Sequence, residues 1–189
     1  MYMKTIAVYC GSSTGIDPIY MKEARNLGKI LVDNGLNLVY GGATVGCMGA
    51  VADAVMEAGG KVIGVIPEKL KDVEIAHQQL SELHVVNTMH ERKALMAEYA
   101  DGFIALPGGS GTLEEWFEVF TWAQLGYHNK PCALLNINNY YTPMLSLFDH
   151  MIDQGFVKSE YKDLIVIDNN SKEIVKKLKD YKSTYIHKW

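Results

Sequence analysis

Residues 36–55, LNLVYGGATVGCMGAVADAV, contain an apolar run (Leu36–Tyr40), a glycine-rich turn and the start of a helical stretch (Gly46–Ala58), in that order. The same order repeats along the chain. Further apolar runs lie at Thr5–Cys10, Lys61–Ile66, Leu83–Val86, Gly102–Leu106, Cys132–Asn136 and Leu164–Ile167. They are rich in Val, Ile, Leu and Tyr, and most lack polar alternation. Strands apolar on both faces belong to a parallel sheet covered by helices on each side. Between the runs the pattern predicts helices over Pro18–Asn34, His90–Ala100, Leu113–Leu125, Pro143–Gln154 and Lys172–Tyr181. Gly35, Gly59 and Gly126 sit where helices should stop. This alternation predicts a Rossmann-like, doubly wound α/β domain with a mostly parallel sheet. No linker, repeat or low-complexity tract divides the chain, so residues 1–189 read as one domain. Pro67–Leu80 is the least regular part. It is too polar for a core strand and reads as a surface loop or short helix near the site.

Hydrophobic residues make up 48% of the chain and charged residues 21%, an ordinary globular balance. A formal charge of −4 gives nucleic acid or an anionic membrane no bulk electrostatic reason to bind. Lys172–Lys182 is basic, but Glu173 and Asp180 dilute it, and it reads as the solvated face of a last helix. No apolar run reaches membrane-spanning length, and MYMKTIAVYCG lacks the cleavage site of a signal peptide. A cytoplasmic protein is expected. Cys10, Cys47 and Cys132 are odd in number, far apart and set among apolar neighbours, which predicts three buried free thiols. His77, His84, His90, His128, His150 and His187 are scattered without ligand spacing, so they read as solvated or structural and no metal site is expected.

Ligands of open α/β sheets bind beyond the carboxyl ends of the strands. Three glycine-rich segments fall at such ends: Cys10-Gly11-Ser12-Ser13, Gly41-Gly42-Ala43-Thr44-Val45-Gly46-Cys47-Met48-Gly49, and Pro107-Gly108-Gly109-Ser110-Gly111-Thr112. Glycine lets backbone approach an anion, and a helix N-terminus supplies unpaired N–H groups. A lone turn of this kind proves little, whereas three on one sheet edge predict a phosphate pocket. The second segment lacks the spacing of a dinucleotide fingerprint. Neither it nor the third ends as a P-loop does. NAD-dependent redox chemistry and ATP hydrolysis are therefore disfavoured.

The third segment runs into Leu113-Glu114-Glu115-Trp116-Phe117-Glu118. Glu114 and Glu118, one turn apart, read as a solvated helix face. Glu115 has Val119 and Trp122 at i+4 and i+7 and projects along a more apolar stripe, which makes it a candidate catalytic carboxylate. Met89-His90-Glu91-Arg92-Lys93 opens another helix. Arg92 and Lys93 oppose the dipole there, a cost that an anionic ligand or a carboxylate offsets. The fourth and fifth strands are expected to be adjacent, which would bring Arg92 near Glu115.

Pro107-Gly108-Gly109-Ser110-Gly111-Thr112-Leu113-Glu114-Glu115 resembles the P-G-G-x-G-T-x-x-E motif of the Lonely Guy family, the cytokinin riboside 5′-monophosphate phosphoribohydrolases long mislabelled as lysine decarboxylases. Met89–Lys93 is similar to that family's second motif, and GGATVGCMG to its second glycine loop. The similarity spans Ile6 to about Phe156. The resemblance implies a Rossmann-like homodimer that releases a free adenine-type base and ribose 5-phosphate from AMP or N6-modified AMP, with no cofactor. It makes Arg92 and Glu115 the catalytic pair and Gly109–Thr112 the phosphate holder, with Lys93 beside the substrate. Gly108, Leu113 and Glu114 of the same motif, and Gly11, Ser12, Gly41 and Gly42 of the other loops, complete the expected substrate surroundings. Thr121 and Glu74 fall at positions resembling further contacts, Glu74 in the loop that departs most from the pattern.

The chemistry suits these residues. Breaking an N-glycosidic bond builds positive charge on the ribose, which a carboxylate stabilises while it orients or deprotonates water. Arg92 is too weak an acid to give a proton to the departing base, and the proton donor stays unassigned. A nucleotide-binding module without turnover and a broader purine nucleotide hydrolase are the rival readings. The aromatic content of the Leu113–Leu125 stretch, notably Trp116, Phe117, Phe120 and Trp122, exceeds one buried stripe and is also what a homodimer would use.

Overall fold

The computed structural model of the protein describes residues 3–71 and 76–182. Among them seven strands form one sheet: β1 (Thr5–Tyr9), β2 (Asn37–Tyr40), β3 (Val62–Pro67), β4 (Glu82–Val86), β5 (Gly102–Ala105), β6 (Cys132–Leu135) and β7 (Ile165–Asp168). The order across the sheet is β4-β3-β2-β1-β5-β6-β7, and every pairing is parallel. The helices between them are α1 (Ile19–Asp33), α2 (Gly46–Glu57), α3 (Met89–Tyr99), α4 (Ser110–Gln124), α5 (Thr142–Asp153) and α6 (Ser171–Asp180). The doubly wound α/β architecture expected from the apolar runs is the one observed.

Side chains alternate across each strand, and both faces are dry. In β1, Ile6 and Val8 pack under α1, α2 and α6, while Ala7 and Tyr9 pack under α3, α4 and α5. All four are at most 2% exposed. Burial of an aliphatic side chain of this size contributes roughly 1.5–3 kcal/mol, so a continuous apolar run is stable only between two helical layers. Gly35, Gly59 and Gly126 follow α1, α2 and α4 with φ of 69°, 77° and 80°, the left-handed conformation that ends a helix. Cys10, Cys47 and Cys132 are buried free thiols.

Three expectations are corrected. β4 and β5 are not neighbours: β3, β2 and β1 stand between them. Parallel strands are joined by crossovers, so order in sequence does not fix order in the sheet. The chain winds outward from β1 to β4, then returns through α3, which packs across β3, β2 and β1, and adds β5 on the other side of β1. The switch point therefore lies between β1 and β5, where such sheets bind ligands. The fourth helix begins at Ser110 rather than Leu113. The residues read as loop are its first turn, because Gly109 takes the extended conformation of a cap (φ −84°, ψ −161°). Finally, Trp116 and Phe120 are not surplus apolar surface. They stack on each other at 4.9 Å and are 0% and 1% exposed.

Candidate functional site

The ends of β1 and β5 are pinned together. Leu106 N–H donates to Tyr9 O (2.9 Å) and Gly11 N–H to Pro107 O (3.2 Å). A side chain at Gly108 would meet Thr112 Oγ1 at 2.1 Å and Gly11 N at 2.7 Å, so a glycine is required for the two turns to touch. The start of α2 closes in from the other side: Cys47 N–H donates to Gly11 O (3.1 Å), and a side chain at Gly46 would strike Ser12.

Beyond this seam opens a cleft of about 350 Å³. Gly109, Ser110, Gly111 and Thr112 line it on one side. Their helix, α4, has no side-chain cap. Thr88 and Asn170 cap α3 and α6 by accepting from N–H groups of their first turns, whereas α1, α2 and α5, like α4, have no side-chain cap. A cap satisfies one or more of a helix's orphan donors. The N-terminus of α4 borders the cleft, and its first N–H groups and positive dipole end are of the kind that suit an anion. Side chains built at Gly109 and Gly111 would meet nothing within 4 Å, so that surface is open.

Arg92 and Glu115 line the same cleft. Arg92 rises from the first turn of α3 and is 5% exposed. Its Nη2 donates to Gly41 O (3.2 Å), whereas its buried Nε has no partner. A buried donor without a protein partner is commonly satisfied by an ordered water. Gly41 is glycine for this reason: a Cβ there would lie 1.9 Å from Nη2. Glu115 enters from α4, half-buried, and its charge together with burial holds the Tyr9 phenol well above its usual range, burial being the larger cause. The Cys10 thiol at the cleft floor is likewise pushed up by burial, then by Cys47 and Glu115. It stays a thiol and offers no nucleophile.

The other expected residues divide between the cleft and positions away from it. Lys93 is 6% exposed, and its Nζ lies 2.5 Å from Glu114 Oε1 and 3.1 Å from Glu118 Oε1. Burial alone would lower its pKa, but the two carboxylates outweigh that and raise it. Glu114 and Glu118 are therefore not a merely solvated face, because a cation on a neighbouring helix pairs with them. Glu114 also borders the cleft, as do Gly11 and Ser12. Gly41 stands behind Arg92. Gly42 sits over Ile66 and Val65, with its carbonyl accepting from His77 N–H (2.9 Å). Gly108 borders a second, adjoining cavity. Leu113, half-buried on α4, packs beneath the helix against the sheet. Thr121 is exposed about three helical turns from Ser110. Glu74 lies outside the described residues. The apolar lining supplied by Met48, Leu70 and Met89 has no motif behind it, since apolar residues at element ends carry no distinctive spacing.

Residues 48–178 match the protein family described as "Possible lysine decarboxylase". The chain is 50% identical over 179 residues to a cytokinin riboside 5′-monophosphate phosphoribohydrolase of Arabidopsis thaliana, covering 95% of this chain and 78% of that protein. It is also 50% identical over 165 residues to the cytokinin riboside 5′-monophosphate phosphoribohydrolase of Rhodococcoides fascians, covering 87% of this chain and 83% of that one. Among solved structures, the molybdenum cofactor binding protein of Rippkaea orientalis superposes with a TM-score of 0.73 at 22% identity, over 95% of this chain and 98% of the other, a likeness of fold.

Proposed function

Because this chain belongs to the family of cytokinin riboside 5′-monophosphate phosphoribohydrolases, we propose that it hydrolyses the N-glycosidic bond of an N6-modified AMP or of AMP, giving the free base and ribose 5-phosphate. One observation carries the reading: the Arg92 guanidinium, the Glu115 carboxylate and the uncapped N-terminus of α4 line a single cleft. The 5′-phosphate docks on the first N–H groups of α4 and anchors the substrate at its far end, so that binding energy is converted into orientation. Glu115 stabilises the cationic ribose of the transition state and directs water to the anomeric carbon. Arg92, which lines the cleft, donates a hydrogen bond from its guanidinium to an oxygen or nitrogen of the substrate without losing its proton. Met48, Leu70 and Met89 give the base an apolar surface.

The test is release of free base from AMP, N6-isopentenyl-AMP and their nucleosides at equal concentration. The monophosphates should exceed the nucleosides in kcat/KM by about 10²-fold or more, since the remote phosphate contributes to positioning. Comparable values for nucleoside and monophosphate would remove the phosphate anchor.

A homodimer completes the proposal. Leu125, Leu147 and Phe156 are 43%, 51% and 87% exposed, apolar surface of the kind a second copy covers. Light scattering at micromolar concentration decides this. Three buried free thiols suit a reducing compartment, and the cytoplasm is the one we propose. Among the described residues no helix is long and apolar enough to cross a membrane.

A further inference from the structure

The connection from β6 to α5 is built to deliver two tyrosines. Asn138 and Asn139 both take left-handed backbone (φ 50° and 58°), a conformation costly for most residues and tolerated by asparagine. Asn136 Oδ1 accepts from Tyr141 N–H at 2.7 Å and closes the turn. From it, Tyr141 OH donates to Leu106 O and Tyr140 OH to Gly108 O, each at 2.6 Å. Between these two, Pro107 O accepts from Gly11 N–H. Three successive carbonyls ahead of α4 are thus each held by a donor.

The consequence follows from peptide geometry. In a trans peptide the C=O and the next N–H point in opposite directions. Tyr140 borders the second cavity, of about 310 Å³, and not the cleft that holds Arg92 and Glu115. Its phenol therefore draws Gly108 O to that far side and turns Gly109 N–H towards the cleft. Tyr20 packs edge-on against the Tyr140 ring at 5.8 Å and fixes it from behind.

We propose that Tyr140 is a positioning residue for the reaction: by holding Gly108 O it aims the Gly109 N–H at the substrate's phosphate. This rests on the phosphate-anchor reading above. The turn's two left-handed asparagines are the local strain that places the phenol there.

Tyr140→Phe keeps the ring and removes the donor. One hydrogen bond of this kind is worth roughly a fivefold change in an equilibrium constant. The KM for the monophosphate and the inhibition constants of inorganic phosphate and ribose 5-phosphate should therefore rise by about fivefold. The kcat and the nucleoside's slow hydrolysis should be little changed, and the melting temperature should fall by no more than about 2–4 °C, which is what one such bond is worth. Asn139→Ala, which raises the cost of the left-handed backbone that carries the phenol, should raise the same KM and inhibition constants with some loss of melting temperature, and the double variant should bind phosphate no worse than the more affected single one. If wild type is inhibited by phosphate and Tyr140→Phe equally so, the role assigned to Tyr140 is wrong while the phosphate anchor stands. Equal losses on nucleoside and monophosphate, or a drop in kcat alone, would also overturn it. A wild-type enzyme indifferent to phosphate and ribose 5-phosphate would overturn both readings.

Discussion

Lys93 Nζ sits 2.5 Å from Glu114 Oε1, so the residue after Arg92 is tied to the residue before Glu115. A second contact, to Glu118 Oε1 at 3.1 Å, extends the tie along α4. The two side chains proposed to act on the substrate are thus held in register by their own sequence neighbours. Lys93→Met leaves Glu118, three-quarters buried, without its cation. The cost should be about 2 kcal/mol, below the ~3–5 kcal/mol of a fully buried pair because Glu114 is half exposed. Denaturant unfolding measures it. Activity should fall further than stability does, because α3 and α4 lose their common fixing point.

Glu115→Gln should lower kcat by about 10³-fold while nucleotide binding and the melting temperature are nearly kept, because only the charge needed in the transition state is lost. Glu114→Gln should stay within roughly tenfold of wild type, since Lys93 retains Glu118. Steady-state kinetics on both variants separates them. An inactive Glu114→Gln beside an active Glu115→Gln would reverse the assignment of the two carboxylates.

Gly41→Ala places a methyl group 1.9 Å from the present position of Arg92 Nη2 and removes room for the guanidinium. A shift of about 1 Å in a positioned group costs on the order of 10²-fold in rate, and kcat/KM should fall by that factor. The variant should still fold, because the guanidinium can move towards the open cleft. Wild-type kinetics in Gly41→Ala would show that Arg92 needs no such support.

Acid should weaken the fold through His128. Its Nε2 contacts Val119 O at 2.9 Å and its Nδ1 accepts from Lys130 N–H at 3.1 Å, an arrangement that only the neutral ring satisfies. Burial, with a smaller push from the Lys130 charge, holds its pKa below the usual 6.5. On acidification the unfolded chain takes up this proton first. The contribution is therefore complete above about pH 6.5 and declines as pH drops below it towards the folded value. Melting temperature followed from pH 7.5 to 5 should fall more steeply for wild type than for His128→Gln. Identical slopes would mean that His128 is not the group responsible.

Much of this was legible in the sequence, for physical reasons that also mark its limits. A run such as Ile6–Tyr9 can be stable only between two apolar layers, so it announces a covered parallel strand. The motif at Pro107–Glu115 carries its own geometry, a glycine turn feeding a helix. Sheet order is not encoded locally, so consecutive runs suggest that β4 and β5 are neighbours although three strands separate them. The apolar stripe of a single helix could place Glu115 but could not reveal that Lys93, on another helix, pairs with Glu114 and Glu118. Nor does any spacing connect Tyr140 with Gly108 across 32 residues. The one local hint is the asparagine pair before it.

The strand order also divides the protein in a way that bears on its synthesis. Residues up to Ala100 furnish β1 to β4 and Arg92, whereas the glycine turn at 107–111 and Glu115 arrive only with β5 and α4. Asp101 then accepts the N–H groups of Lys4 and Thr5, fastening the late half to the first strand. A nascent chain halted at residue 100 would carry one of the two residues proposed to act on the substrate and neither β5 nor α4. On the proposed reading, base release needs both halves docked on β1, so chains split near residue 100 could be ranked for docking by that activity.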